Sequence, residues 1–349
     1  MPQIALPHKV CPMTCMVNGL EDLYEARTGT RLPDWFLFYL SGMAGFSYIK
    51  YKDMRFVGWG TRPQDQYRVL GAAIGFRWEI SEGKGYKTAL KEVRAHIDAG
   101  TPVILGAVDM YHLPYFTKFY HQYHVPIHYI LMVGYEDSGV WVHDCDRPMP
   151  QLVPYGDLQA AWDVHVPGLS QKNTHFAFYF DAQVADPLTI ALRALAQKAD
   201  WMLHPPVKMF GVPGIRKLAR ELPQWPRELS AQALESALRQ MVEYTGNPPM
   251  LPKRLTGWDN ESPDYTGGRQ GFARLLTQLA TTYALPAWDE AAALLAQSGQ
   301  YIRAFSDELV NLLWQQNGSL TAAVALLLRI ADTEAQAYQR LAKTLPQPA

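Results

Sequence analysis

The chain has 349 residues, 48% of them hydrophobic and 19% charged, with a formal net charge of −1 at pH 7. That length suits two domains, each able to bury a core of its own, and the composition is ordinary for a soluble globular protein. With a balance so near zero, nothing points to a polyanionic partner such as nucleic acid, and three cysteines are an odd, sparse set that argues against a disulfide framework.

No run of about 18 or more apolar residues occurs, so no membrane span is expected. The opening residues Met1–His8 lack the basic and apolar stretches of a secretion signal. The expected location is cytoplasmic, where a thiol stays reduced.

Met16, Leu20, Leu23 and Tyr24 recur at helical spacing and predict a helix from about Cys15 that ends near Gly29. Pro33 opens a second helix to about Leu40. Gly42 and Gly45 then break the chain before Phe46–Tyr51, which alternates like a strand. A helix over 64–73, a strand over 76–80 and an amphipathic helix over 86–99 follow. Pro102–Val108 reads as a β-branched strand, and an aromatic loop runs from beyond Asp109 to Pro126. His128–Tyr135 and Gly139–Asp144 are two strands joined by the turn Glu136–Gly139. A histidine therefore opens one strand and an aspartate closes its neighbour, so both side chains can meet at one end of a sheet. A helix near 155–163 and a strand at 175–180 complete this half.

Beyond about Asp181 alanine and leucine dominate and strand patterns vanish. Helices are expected over 187–203, 230–244, 271–283, 288–314 and 319–341, with Ser230 and Ser319 as N-caps. Segments 246–252 and 260–268 read as Pro/Gly-rich loops. The fold class is α+β, with a mixed domain at 1–184 and an all-helical domain at 185–349.

A thiol nucleophile needs a lowered pKa, a base within reach and donors for the oxyanion. Cys15, at the first turn of a helix, meets the first need through the helix dipole. His128 can supply the base, and Asp144 can fix its tautomer. Cys11 is the alternative nucleophile, because Pro12 suits a first helical position and would make Cys11 the cap. Cys145 reads as a bystander. His121, His124 and His128 invite a metal reading, but Pro126 prevents one helical face from presenting all three, and no acidic residue joins them. No metal and no cofactor are expected. Asp109 either lines the same cleft or caps a turn, and Arg269 and Arg274 read as solvated helix residues.

The segment from Cys15 to Leu23 with Gly29 resembles the nucleophile helix of the C39-like, papain-fold peptidases. His128–Tyr135 followed by Val140, Val142 and Asp144 resembles their His and Asp strands. A closer similarity is to the butirosin biosynthesis protein H family, which adds a helical C-terminal domain. Leu32–Trp35, Gly42–Phe46, Pro102–Asp109, Leu113–Tyr115 and Gly267–Arg269 look like its blocks, in the same order. This resemblance implies a papain-like cysteine-protease fold for the N-terminal domain and acyl transfer in secondary metabolism. The acyl group would move from a carrier-protein or coenzyme A thioester, through Cys15, to a small-molecule amine. His128 would be the base and Asp144 the orienting carboxylate.

The peptidases place an oxyanion glutamine about six residues before the cysteine, where this chain has Lys9. His8, Lys9 or backbone N–H groups would serve instead, with Asp109, Tyr111 and Tyr115 as further oxyanion or substrate candidates. Met16 stands where the family has a small residue. The aromatic loop Tyr111–Tyr123 would gate the cleft. The expected partners are an acyl carrier protein or other acyl-thioester donor and an amine acceptor, without nucleic acid or membrane; homo-oligomer formation is left open. Water would turn the same acyl-enzyme into a peptide or amide hydrolase, and a carbon nucleophile within the acyl chain into a cyclase. A non-catalytic binding protein retaining only the fold is the rival of another class.

Overall fold

The computed structural model describes residues 3–12, 14–180, 183–245, 266–315 and 317–346. The expected loop at 246–252 and most of that at 260–268 lie outside the described residues, as does Asp181. In chain order the elements are α1 (Cys15–Thr28), α2 (Phe36–Leu40), β1 (Ser47–Tyr51), β2 (Met54–Gly58), α3 (Pro63–Ile74), β3 (Arg77–Ser81), α4 (Tyr86–Asp98), β4 (Val103–Val108), β5 (His128–Tyr135), β6 (Gly139–Asp144), β7 (Arg147–Pro154), α5 (Tyr155–Trp162) and β8 (His175–Tyr179). The helices α6 (Pro187–Leu203), α7 (Gly211–Glu221), α8 (Trp225–Glu228), α9 (Ala231–Thr245), α10 (Arg269–Tyr283), α11 (Pro286–Val310) and α12 (Leu320–Ala342) follow. The chain is α+β with a helical C-terminal region. No helix among the described residues is long and apolar enough to cross a membrane.

Two compact units emerge: Met1–Phe38 with Arg62–Pro187, and Tyr39–Thr61 with Leu188–Ala349. Against two contiguous domains at 1–184 and 185–349, residues 39–61 group with the helices. The physical reason is that β1 and β2 form a two-stranded sheet of their own and find further partners late in the sequence, among them Phe210, which bridges to Ser47. The Tyr48 N–H donates to the Met209 carbonyl at 2.8 Å, and the Tyr48 hydroxyl donates to Glu221 at 2.7 Å. The Gln240 amide bonds the Val57 N–H at 3.0 Å and its carbonyl at 2.9 Å.

In the first unit a six-stranded sheet has the order β3-β8-β4-β5-β6-β7, antiparallel throughout. β4 is buried along its whole length and β5 up to its last residue, because helices cover both faces. This explains why both read as continuous apolar runs rather than alternating ones. Ile104 and Leu131, paired across β4 and β5, turn towards α1. A Cβ added at Gly19 would stand 3.1 Å from Leu131 and 3.3 Å from Ile104, so glycine lets the helix lie close to the sheet. On the other face His175, opposite Leu105, lies near His96 of α4 and Trp162 of α5.

The second unit is built on α10, α11 and α12, with Phe272, Trp288 and Tyr338 fully buried. α11 ends in a π-helical turn, Asn311–Gln315, instead of continuing as one α-helix to Trp314. Ser230 and Ser319 cap as expected, accepting from the Ala233 and Ala322 N–H groups. Arg269 departs from its expected solvated state and is completely buried. Its guanidinium grips Glu334 through two bonds, 2.8 and 3.0 Å, and stacks 4.7 Å over Trp59.

Candidate active site

α1 begins at Cys15, half-exposed, behind the buried Thr14. The Thr14 hydroxyl is turned back onto the Cys11 carbonyl, 2.6 Å away, so it does not cap the helix. The Thr14 carbonyl accepts the Val17 and Asn18 N–H groups at 2.8 and 2.9 Å. The Cys15 and Met16 N–H groups precede these, at the end where a helix has no earlier turn to accept them. Cys15 thus stands at the positive end of the helix dipole.

The other two residues of the expected triple lie where the sheet loses its regular pairing. Register shifts fall between Gly106 and Val108 in the β4–β5 pair and between Val142 and Asp144 in the β6–β7 pair. Such irregularities re-aim side chains at the rim of a sheet. Val108 then pairs with His128, and Asp144 with Arg147 across a two-residue turn. His128 Nε2 meets Asp144 Oδ2 at 2.6 Å, with both side chains buried. Asp144 Oδ2 also accepts the Tyr115 hydroxyl at 2.8 Å, and its Oδ1 accepts the Asp146 N–H at 3.1 Å.

Burial alone would push the charged form of His128 down, but the Asp144 charge and hydrogen bond, joined by a hydrogen bond to Cys15, outweigh it and raise His128 to about 10. Burial likewise opposes the Asp144 charge, yet His128 and the Tyr115 hydroxyl hold its carboxyl below the ordinary 3.8. Nε2 is committed to Asp144, and Nδ1 is the ring's other nitrogen. His128 and Asp144 are thus in direct contact, and Cys15 lies near enough to influence the His128 charge.

Cys11 is buried, its N–H donates to the Cys145 carbonyl, and burial pushes its thiol up. His8 and Lys9 are engaged elsewhere. His8 Nδ1 faces Asp22 Oδ2 at 2.7 Å, while Nε2 faces the Asp144 and Arg147 carbonyls at 3.1 and 2.8 Å. Both ring nitrogens point at acceptors, an arrangement that favours the imidazolium, and against the opposing effect of burial Asp22 and the two carbonyls raise the His8 pKa. Lys9 Nζ is held by the Leu32 carbonyl and Asp34 at 2.7 and 2.8 Å. Asp109 organises its own loop: Oδ1 accepts the Tyr111 and Val125 N–H groups and Oδ2 meets His124 Nδ1 at 2.6 Å. Tyr111 stacks on His124 at 4.0 Å. Tyr115 turns its hydroxyl to Asp144, and Phe116 and Phe119 of the same loop are buried.

His8, Asp22 and His143 offer ligand atoms within 4.8 Å of one another, the donor set of a metal site among the described residues. His8 Nδ1 meets Asp22 Oδ2 there at 2.7 Å, and His143 Nδ1 lies 3.2 Å from the same oxygen. Sequence reasoning missed Asp22, which joins His8 to α1, because a buried aspartate looks like any polar helix residue. It also missed Tyr67 and Tyr129, aromatic residues at core spacing that lie close enough to Cys15 to feel its charge.

Residues 14–145 match the family model for butirosin biosynthesis protein H, N-terminal. Residues 156–246 match a domain of unknown function (DUF4872). No curated protein matches the sequence.

Proposed function

The chain belongs to the butirosin biosynthesis protein H-like family, and from that premise we propose that it is a papain-like cysteine acyltransferase of secondary metabolism. It would move an acyl group from a carrier-protein or coenzyme A thioester to a small-molecule amine. The observation carrying the chemistry is the buried 2.6 Å contact of His128 with Asp144, with Cys15 near enough to help raise the His128 pKa.

In this reading the Cys15 sulfur attacks the thioester carbonyl, and a tetrahedral oxyanion forms. Collapse breaks the bond to the carrier thiol, which leaves with the proton from His128 Nδ1. Asp144 keeps Nε2–H in place throughout, and Tyr115 keeps Asp144 in place. The neutral imidazole then takes a proton from the incoming amine as its nitrogen attacks the acyl-Cys15 carbonyl. Departure of the Cys15 sulfur yields the amide and restores the starting protonation. Each proton taken by His128 is returned in the next half-reaction, so no cofactor is needed. Asp109 and Tyr111, at the end of β4 and on the aromatic loop, are the substrate-side residues of this proposal. The three free cysteines fit a reducing, cytoplasmic setting.

Incubation with a panel of carrier-bound and coenzyme A acyl thioesters, read by intact-protein mass, tests the assignment. The expected result is an acyl adduct on the protein that is absent in Cys15→Ala. Undiminished acyl transfer by Cys15→Ala would sink it. Product analysis with and without an amine separates transfer from hydrolysis and from cyclisation within the acyl chain. A Cys15 inert to iodoacetamide at neutral pH would favour a binding protein that keeps only the fold.

A further inference from the structure

A cysteine acyltransferase needs a donor for the oxyanion, and the two side chains nearest in sequence are spoken for. Both nitrogens of His8 face Asp22 and backbone carbonyls, and Lys9 is tied to Leu32 and Asp34. The register between helix and sheet points to another residue. Gly19 rests on Leu131, which a Cβ would approach to 3.1 Å. One helical turn before Gly19 is Cys15, on the same face. Two residues before Leu131, on the same face of β5, is Tyr129. Cys15 acts on His128, the first residue of β5, strongly enough to raise its pKa, which fixes the direction, with the start of α1 over the start of β5. Cys15 therefore lies over Tyr129.

Tyr129 is 1% exposed, and its hydroxyl has no hydrogen-bond partner among the described residues. A buried phenol usually finds one. Its neighbour Tyr67, equally buried, donates to the Met16 carbonyl at 2.6 Å, so that hydroxyl is already used. Gly106, the partner of Tyr129 across the strand pair, supplies the space for the ring: a Cβ there would come within 2.1 Å of it. The phenol is thus fixed by packing, not by a hydrogen bond. Burial, reinforced by the nearby Cys15, pushes its pKa far up, so it remains a donor at every working pH.

We propose that the Tyr129 hydroxyl is a catalytic residue that donates its hydrogen bond to the oxyanion formed when Cys15 attacks an acyl carbonyl. The proposal rests on Cys15 being the nucleophile. As the Cys15 sulfur–carbon bond forms, the carbonyl π electrons move to oxygen, and the Tyr129 O–H orients to that charge without giving up its proton. Collapse returns the electrons to the carbonyl and expels the leaving group, and the hydrogen bond weakens again. A donor held ready in a buried place is worth most at this moment, because no reorganisation is needed as charge develops.

Two reactions of the full-length protein separate this role from any other. Acetylation by p-nitrophenyl acetate passes through an oxyanion; alkylation by iodoacetamide displaces iodide at a saturated carbon and does not. Tyr129→Phe is expected to slow the acetylation burst by about 10²–10³-fold while leaving the alkylation rate and the thermal midpoint unchanged. An unchanged burst overturns the proposal. So does an equal fall in both rates, which would mean that Tyr129 acts on the thiol itself. Cys15→Ala is the separate control: an acetylation burst that persists there overturns the nucleophile assignment and this proposal with it. Loss of the burst in Cys15→Ala with a normal burst in Tyr129→Phe overturns this proposal alone.

Discussion

Asp144 and His128 show at the scale of single residues how pairing reverses what burial imposes. His128 is raised to about 10 from an ordinary 6.5. The stability it contributes is fully present below 6.5 and is lost as pH rises towards about 10. Asp144 is lowered from 3.8, so its contribution is present above that value and is lost as pH falls through the lowered one. Asp144→Asn leaves the imidazole with burial as its dominant influence. His128 is then expected to titrate below its ordinary value, as followed by histidine NMR, and urea denaturation is expected to show a loss of about 3–5 kcal/mol. Glu21 behaves in the opposite way. Its oxygens are buried without a hydrogen-bond partner among the described residues, and burial raises its carboxyl from 4.5 to about 8. Between those values the folded state holds a proton that the unfolded chain has released. Stability should therefore fall by about 1.4 kcal/mol per pH unit on account of this group. Glu21→Gln should remove that slope in denaturation measured from pH 5 to 8, and a slope unchanged by the substitution would refute the assignment.

At the scale of elements, His8 is the tie between α1, through Asp22, and the β6–β7 turn, through the Asp144 and Arg147 carbonyls. The elements that carry Cys15 and Asp144 are thereby joined by one imidazolium. Burial opposes its charge, but Asp22 and the carbonyls raise its pKa, so its contribution is present below 6.5 and lost as pH rises through the raised value. His8→Ala should cost about 1.5–3 kcal/mol, and the difference from the wild type should shrink as pH rises above 6.5. A constant difference would mean that His8 acts by packing alone. The elements themselves were largely legible in the sequence. β5 and β6 coincide with the runs His128–Tyr135 and Gly139–Asp144, and α1 starts at Cys15 and stops at Gly29, with φ 70°. β7 was not legible, because Arg147–Pro154 holds three prolines and few β-branched residues; as the last strand of the sheet it can accommodate them. Nor was α7, whose Gly211 and Gly214 speak against a helix. The pairing of His128 with Asp144 could be read from strand order. The ties of His8, Lys9 and Tyr115 could not, since each depends on contacts between segments far apart in the chain.

At the scale of the molecule, the second unit is held by a buried ion pair. Glu334 meets the Arg269 guanidinium through both oxygens while also accepting the Ser298 hydroxyl at 2.8 Å. Arg269→Met alone should cost about 3–5 kcal/mol, because it strands a buried carboxylate. Arg269→Met with Glu334→Leu should recover most of that loss in the same denaturation assay; a double variant as unstable as the single one would show that shape, not charge, governs the site. The segment Tyr39–Thr61 has a different consequence, in the timing of folding. It leaves the ribosome before the sheet of the first unit is complete, yet its partners Met209, Glu221 and Gln240 emerge much later. Synthesis from the N-terminus normally lets an early domain close as soon as it is made. Here the nascent chain carries Phe46, Tyr48 and Val57, all buried in the finished protein, without those later partners until residues 209–240 have been made. The second unit can therefore be completed only after release of its last helices, whereas the residues around Cys15 have their partners much earlier.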